Sequence, residues 1–149
     1  MTQFRVLGTD HTAFTVSNLE RSVKTFTELL GFEVVRAAGA EQELVEQLTG
    51  VKASLRFVYL RGPDGHQVEL LQYDDPPDRG TASYRPCDTG AAHIAIRVDN
   101  VPAAVEAAKA AGLQLNNQIM TVHRESGTTQ SCYLRDPDGI TIELLSRST

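Results

Sequence analysis

The chain has 149 residues, of which 41% are hydrophobic and 22% charged, proportions typical of one compact domain or of two tightly joined halves. Its 19 acidic residues outnumber its 14 lysines and arginines, and the net charge of −5 argues against a nucleic-acid partner. No apolar run could span a bilayer and the N-terminus lacks a signal-peptide layout, so we expect a cytoplasmic protein with no membrane partner.

The first half of the chain predicts a strand, a helix and then further strands. The alternating sequence HTAFTV favours a half-buried strand, and the helix after it has Ser17 as its predicted N-cap and ends at Gly31. An insertion, EQELVEQLTG, predicts a short helix whose apolar stripe packs or forms a pocket wall. That stripe consists of Leu44, Val45 and Leu48. Strands at residues 53–60 and 67–73 flank a Pro-Asp-Gly turn.

The second half predicts the same order of elements. A polar segment rich in proline and glycine, residues 75–90, forms the expected linker. The alternating sequence HIAIRV predicts a strand, and a helix follows from its cap at Asn100 to Gly112. A strand at residues 128–135 leads through a second Pro-Asp-Gly turn into the final strand at 140–145.

An internal repeat relates the two halves. PDGHQVELL at residues 63–71 returns as PDGITIELL at 137–145, with the turn, the glutamate and both leucines unchanged. HTAFTVSN likewise matches HIAIRVDN at the start of each half. Repetition of whole groups of elements indicates a duplication. It aligns two histidines and two glutamates, His11 with His93 and Glu69 with Glu143.

Strand alternation places these four residues on corresponding faces. In each strand one face carries aliphatic side chains that a helix can cover, and the opposite, mixed face carries one ionisable residue. If each half curls its sheet, the mixed faces meet and the four side chains converge in a cleft. Two imidazoles and two carboxylates without a thiolate are a ligand set for one divalent first-row metal, namely zinc, nickel, cobalt, manganese or iron.

Each residue alone has a simpler interpretation. A histidine in a strand is more often hydrogen-bonded than metal-bound, and a glutamate in a strand is more often solvated. The recurrence of both residue types at matching points of a repeat favours the metal site.

Four stretches of the chain resemble the vicinal oxygen chelate superfamily, which includes glyoxalase I, methylmalonyl-CoA epimerase, extradiol dioxygenases and the fosfomycin and bleomycin resistance proteins. They are DHTAFTVSNLERSVKTFTELLGFEVV, HQVELLQY, AHIAIRVDNVPAAVEAAKAAG and YLRDPDGITIELL. The resemblance implies an α+β fold in which two tandem βαβββ modules form an open U-shaped cleft with helices outside. The modules would occupy about residues 5–74 and 91–146, joined by the linker at about 75–90. The superfamily's metal positions fall on the same four residues, His11, Glu69, His93 and Glu143.

Four ligands are most similar to glyoxalase I and predict a divalent-metal-dependent lyase or isomerase. Such an enzyme abstracts a proton α to a metal-coordinated carbonyl of a small carbonyl or thioester substrate, with Glu143 or Glu69 as the base. The resemblance also implies a homodimer. Two alternatives stay open: an iron-dependent extradiol-type dioxygenase, and a non-catalytic protein that binds a drug or other small molecule. The dioxygenase would use a facial triad of His11, His93 and Glu143.

Overall fold

The computed structural model describes residues 4–148 and divides into two compact units between Pro77 and Asp78. Unit 1 is the part before this boundary, and unit 2 is the part after it. Each unit contains one β-sheet with helix packed against it, so the predicted α+β class is confirmed. No helix within residues 4–148 is both long and apolar enough to cross a membrane.

Unit 1 contains a four-stranded sheet with the order β1-β4-β3-β2. Strand β1 is parallel to β4, and the other neighbouring pairs are antiparallel. Helix α1 continues into a π-helical turn, and helix α2 forms from the insertion. The elements are β1 (Thr12–Thr15), α1 (Leu19–Lys24, with the π-helical turn Thr25–Leu29), β2 (Glu33–Ala40), α2 (Gln42–Thr49), β3 (Leu55–Arg61) and β4 (Gln67–Tyr73).

Helix α1 covers one face of this sheet. The side chains of β3 and β4 that point toward it are at most 8% exposed, and burial of each contributes about 1.5–3 kcal/mol. They are Val58, Leu60, Val68 and Leu70. The residues that alternate with them, including Tyr59 and Glu69, are partly exposed on the opposite face. The predicted alternation of aliphatic and mixed faces is therefore confirmed in unit 1.

Helix α1 begins one residue later than predicted, because Asn18 and not Ser17 is its N-cap. The Asn18 side chain accepts a hydrogen bond from the Arg21 backbone N–H at 2.9 Å, as N-cap residues do. The Ser17 hydroxyl instead accepts a hydrogen bond from the Arg21 guanidinium at 3.1 Å. The predicted capping role of Ser17 is wrong.

Helix α2 forms where the insertion predicts it, but its apolar stripe is only partly buried. Val45 is 2% exposed, whereas Leu44 and Leu48 are 60% and 83% exposed. Gly50 ends the helix with a positive φ of 76°, which a residue without a side chain adopts easily. Of the three predicted packing residues, one packs within the described part of the chain.

Unit 2 repeats this architecture with a shorter outer edge. Its sheet has the order β5-β9-β8-β6, and β7 also pairs with β8. The predicted cap Asn100 accepts a hydrogen bond from the Ala103 backbone N–H at 3.0 Å, and α3 packs on aliphatic residues that include Ile142 and Leu144. The elements are β5 (His93–Arg97), α3 (Val101–Ala110), β6 (Gln114–Leu115), β7 (Met120–Arg124), β8 (Gly127–Arg135) and β9 (Thr141–Ser148).

Candidate active site

In unit 1 the two predicted metal ligands lie side by side. Strand β1 runs parallel to β4 with Ala13 opposite Glu69, which brings His11, just before β1, close to the same carboxylate. His11 Nε2 is 3.1 Å from Glu69 Oε2. The side chains are 28% and 12% exposed, so both remain accessible from solvent. The structure therefore brings together residues that are 58 positions apart in the sequence.

The second nitrogen of His11 bonds to Asp10, at 2.7 Å from Nδ1 to Oδ1. An ionised carboxylate only accepts hydrogen bonds, so Nδ1 must be the donor and neutral His11 presents a lone pair at Nε2. That lone pair would face the acceptor oxygen of Glu69. A proton or a cation between Nε2 and Oε2 would make this contact favourable. A partner on the second nitrogen is also typical of metal-binding histidines.

A tyrosine completes the group in unit 1. Tyr59 in β3 lies directly opposite Glu69 in β4, and its ring packs edge-on against the His11 ring at 5.1 Å between centroids. Burial, followed by a hydrogen bond to Glu69, raises the pKa of the Tyr59 phenol. The protonated hydroxyl is therefore the donor and the Glu69 carboxylate is the acceptor.

Unit 2 contains the corresponding group. His93 is the first residue of β5, which is parallel to β9 with Ala95 opposite Glu143. His93 Nε2 is 3.3 Å from Glu143 Oε2, and the side chains are 45% and 20% exposed. Tyr133 in β8 lies opposite Glu143, and its ring is 5.2 Å from the His93 ring. The duplication thus preserves a histidine, a glutamate and a tyrosine in each unit.

The two tyrosines were missed by the sequence analysis, although a signal was present. Tyr-Leu-Arg precedes each Pro-Asp-Gly turn by one residue, so Tyr59 and Tyr133 both stand ten positions before their glutamates. Tyrosine is not among the residue types that usually bind zinc, so the predicted metal site did not include these two residues. Within residues 4–148, no three His, Cys, Asp or Glu side chains form a group that could hold a metal ion, and the predicted ligands are found as two pairs.

The spacing within each pair is compatible with a divalent metal. Adjacent ligand atoms at about 2.1 Å from one ion lie roughly 3.0 to 3.4 Å apart. The Nε2–Oε2 distances of 3.1 and 3.3 Å fall in that range. An imidazolium bonded to a carboxylate has similar spacing, so these distances fit a metal without requiring one. The donor types and the spacing of both pairs are therefore compatible with binding a divalent metal.

Relatives of this chain include proteins named lactoylglutathione lyase. A probable lactoylglutathione lyase from Vibrio parahaemolyticus is 33% identical over 138 residues, which span 91% of this chain and 87% of that protein. Other bacterial and plant proteins with the same enzyme name, some qualified as probable or putative, match at 29% to 32% identity. These relatives confirm the prediction of a glyoxalase I-like enzyme.

Solved structures show the same fold. A glyoxalase family protein from Bacillus cereus superposes with a TM-score of 0.81 at 24% identity, covering 100% of this chain and 99% of that one. The fosfomycin resistance protein FosX from Listeria monocytogenes, solved with Mn(II) and sulfate, has a TM-score of 0.61 at 16% identity, with 97% and 95% coverage.

A sequence profile of one family matches residues 8–144. The profile describes the Glyoxalase/Bleomycin resistance protein/Dioxygenase superfamily, which is the vicinal oxygen chelate superfamily predicted from the four sequence stretches. The chain belongs to this superfamily.

Proposed function

We propose that the chain is a divalent-metal-dependent lyase of the glyoxalase I type. Its substrate would be the adduct of a 2-oxoaldehyde with a thiol, and the product a 2-hydroxy thioester such as lactoylglutathione. The duplicated histidine–glutamate pair is the single observation that carries this proposal. Both pairs are retained, at 3.1 and 3.3 Å, in two units whose sequences have diverged at most other positions. The names of the relatives support the choice of substrate.

The metal would be held by one pair from each unit, His11 with Glu69 and His93 with Glu143. Both pairs would come from one chain or from two chains of a homodimer. Divalent metals are typical of glyoxalase enzymes, and the nitrogen and oxygen donors suit zinc, nickel, cobalt, manganese or iron. When bound, the cation would supply Lewis-acid stabilisation of the negative charge that develops on the substrate oxygen.

The protein's own part in the reaction is to move one proton. A glutamate takes the proton from the carbon α to the carbonyl and returns it to the carbonyl carbon, and the hydroxyl proton of the adduct passes to the former carbonyl oxygen. Together the two transfers convert the adduct into the thioester without a net change in atoms or electrons. The candidates are Glu143 and Glu69, whose side chains are 20% and 12% exposed.

An arginine on the same face of the sheet could bind the thiol part of the substrate. Arg36 in β2 is directly opposite Tyr59, and its guanidinium lies over the Phe57 ring, 5.6 Å from the centroid. Residues opposite each other in neighbouring strands project to the same side, so Arg36 shares the face of Glu69 at about two strand spacings, roughly 10 Å. A guanidinium there would bind a carboxylate of a glutathione-like thiol while the reacting end lies at the glutamate.

Elemental analysis and turnover of purified protein test the proposal. We expect about one divalent metal per site and conversion of methylglyoxal with glutathione, both lost after chelation and restored by adding metal. Replacing Glu69 and Glu143 together by alanine should abolish tight metal binding and turnover while the protein remains folded. An active, metal-replete double variant would rule out the mechanism. Oxygen uptake with a catechol after anaerobic loading with ferrous iron would instead favour a dioxygenase.

A further inference from the structure

Each histidine–glutamate pair has a tyrosine packed against it in the same way. In unit 1 the glutamate strand β4 separates the tyrosine strand β3 from the histidine strand β1, and in unit 2 β9 separates β8 from β5 in the same order. Each tyrosine is directly opposite its glutamate, Tyr59 with Glu69 and Tyr133 with Glu143. Each ring therefore reaches across the glutamate strand to the histidine.

The two ring contacts are nearly equal in distance. The ring centroids are 5.1 Å apart for His11 and Tyr59 and 5.2 Å apart for His93 and Tyr133. The interplanar angles are 88° and 60°, which are edge-to-face or tilted arrangements in the favourable range for aromatic pairs. Sequence around the tyrosines has diverged elsewhere, as RFVYL and QSCYL show. The same contact is thus found in two copies of a diverged strand.

A ring at this position limits the rotation of the imidazole. A histidine side chain turns about two bonds, and each turn would carry Nε2 away from the neighbouring carboxylate. Packing against the tyrosine disfavours those rotamers before any ligand binds. A ligand atom that is already in place loses less conformational entropy on binding, which raises affinity without adding a contact to the ion.

We propose that Tyr59 and Tyr133 are positioning residues that hold His11 and His93 toward their glutamates. Tyr59 also holds Glu69, because its hydroxyl donates a hydrogen bond to that carboxylate, whereas the contact of Tyr133 is through its ring. This role rests on the proposed function of the pairs as metal ligands. In this proposal the tyrosine rings orient the histidines, and a glutamate transfers the proton.

Zinc affinity and turnover in single variants test the two roles separately. Tyr59→Leu and Tyr133→Leu remove the ring, and Tyr59→Phe and Tyr133→Phe remove only the hydroxyl. Measured by competition with a chromophoric chelator, zinc affinity should fall about tenfold to a hundredfold in each leucine variant. It should fall several-fold in Tyr59→Phe and stay unchanged in Tyr133→Phe. Tyr84→Leu, at a tyrosine that is 53% exposed, is the matched control and should bind zinc as the parent does.

Normal zinc affinity in both leucine variants would overturn the proposal, and so would equal losses in both phenylalanine variants. If one leucine variant fails to fold, the leucine variant of the other unit still tests the ring. A parent protein that binds none of zinc, nickel, cobalt, manganese and iron would contradict the proposed function instead. The positioning role is then judged on metal-free protein by nitrogen-15 NMR of the imidazoles. Tyr59→Leu must change the His11 signals and not those of His93, and unchanged His11 signals overturn the role.

Discussion

Units 1 and 2 contain the same group of histidine, glutamate and tyrosine, but the two groups differ in solvent exposure and in hydrogen-bonding partners. In unit 1, His11 is bonded to Asp10 at one nitrogen and faces Glu69 at the other, and the Glu69 carboxylate accepts a hydrogen bond from Tyr59. In unit 2, the His93 and Glu143 side chains are 45% and 20% exposed, against 28% and 12% for the pair in unit 1. The more covered pair is also the one with more hydrogen-bonding partners.

This inequality bears on which glutamate would transfer the proton in the proposed reaction. A base must leave its resting contacts to reach the substrate carbon, and each hydrogen bond that it must break adds to the barrier. Glu69 is held by the Tyr59 hydroxyl, whereas Glu143 is the more exposed carboxylate. The comparison favours Glu69 as the fixed ligand and Glu143 as the carboxylate that moves, which narrows the choice left open by the sequence.

The largest expected effects come from replacing each glutamate by glutamine. We expect Glu143→Gln to lower turnover by a factor on the order of a hundred to ten thousand even at saturating metal, because an amide cannot take the proton. Glu69→Gln should lower metal affinity by roughly a hundredfold, and added metal should recover much of its activity. Metal titrations followed by turnover separate the two effects. The reverse pattern would assign the base to Glu69.

A smaller effect is expected at Arg36, which has no counterpart in β6 because that strand contains only Gln114–Leu115. Arg36→Ala should raise KM for a glutathione adduct by about tenfold, the cost of one charge-assisted hydrogen bond. The adduct of a neutral thiol should be unaffected. Arg56→Ala is the control, because Arg56 is paired with Glu20 at 2.7 Å. Equal losses with both adducts would remove Arg36 from substrate recognition.

The pairing of each histidine with its glutamate was predictable, because strand periodicity and the internal repeat point to the same positions. Alternation placed Glu69 opposite the face of Val68 and Leu70, and the structure buries those two residues completely. Histidine and glutamate also belong to the residue types that bind metals, so their recurrence was informative. Tyr59 recurs as regularly as Glu69, but a tyrosine in a strand is usual for its β-propensity and its role shows only through its contacts.

Other features depend on contacts that the periodicity of the sequence does not predict. The stripe of Leu44, Val45 and Leu48 has helical spacing, yet spacing does not show how much of a helix face a neighbouring element covers. Side-chain partners such as Asp10 with His11 depend on rotamers. The cap of α1 was misplaced because both Ser17 and Asn18 are good capping residues, and only backbone geometry chooses between them.

The helix caps provide the smallest and most closely matched comparison of the units. Asn18→Ala and Asn100→Ala each remove one hydrogen bond to a first-turn N–H, at 2.9 and 3.0 Å, and should each cost about 1 kcal/mol of unfolding free energy. For a chain of this size the melting temperature should fall by about 2–4 °C per kcal/mol. Ser17→Ala should stay within about 0.5 kcal/mol of the parent, because the Ser17 hydroxyl accepts a surface hydrogen bond from the Arg21 guanidinium and does not cap the helix. Thermal and urea unfolding measure all three variants. A loss at Ser17 as large as the loss at Asn18 would restore Ser17 as the cap, and unequal losses at the two asparagines would show that α1 and α3 contribute differently to their units.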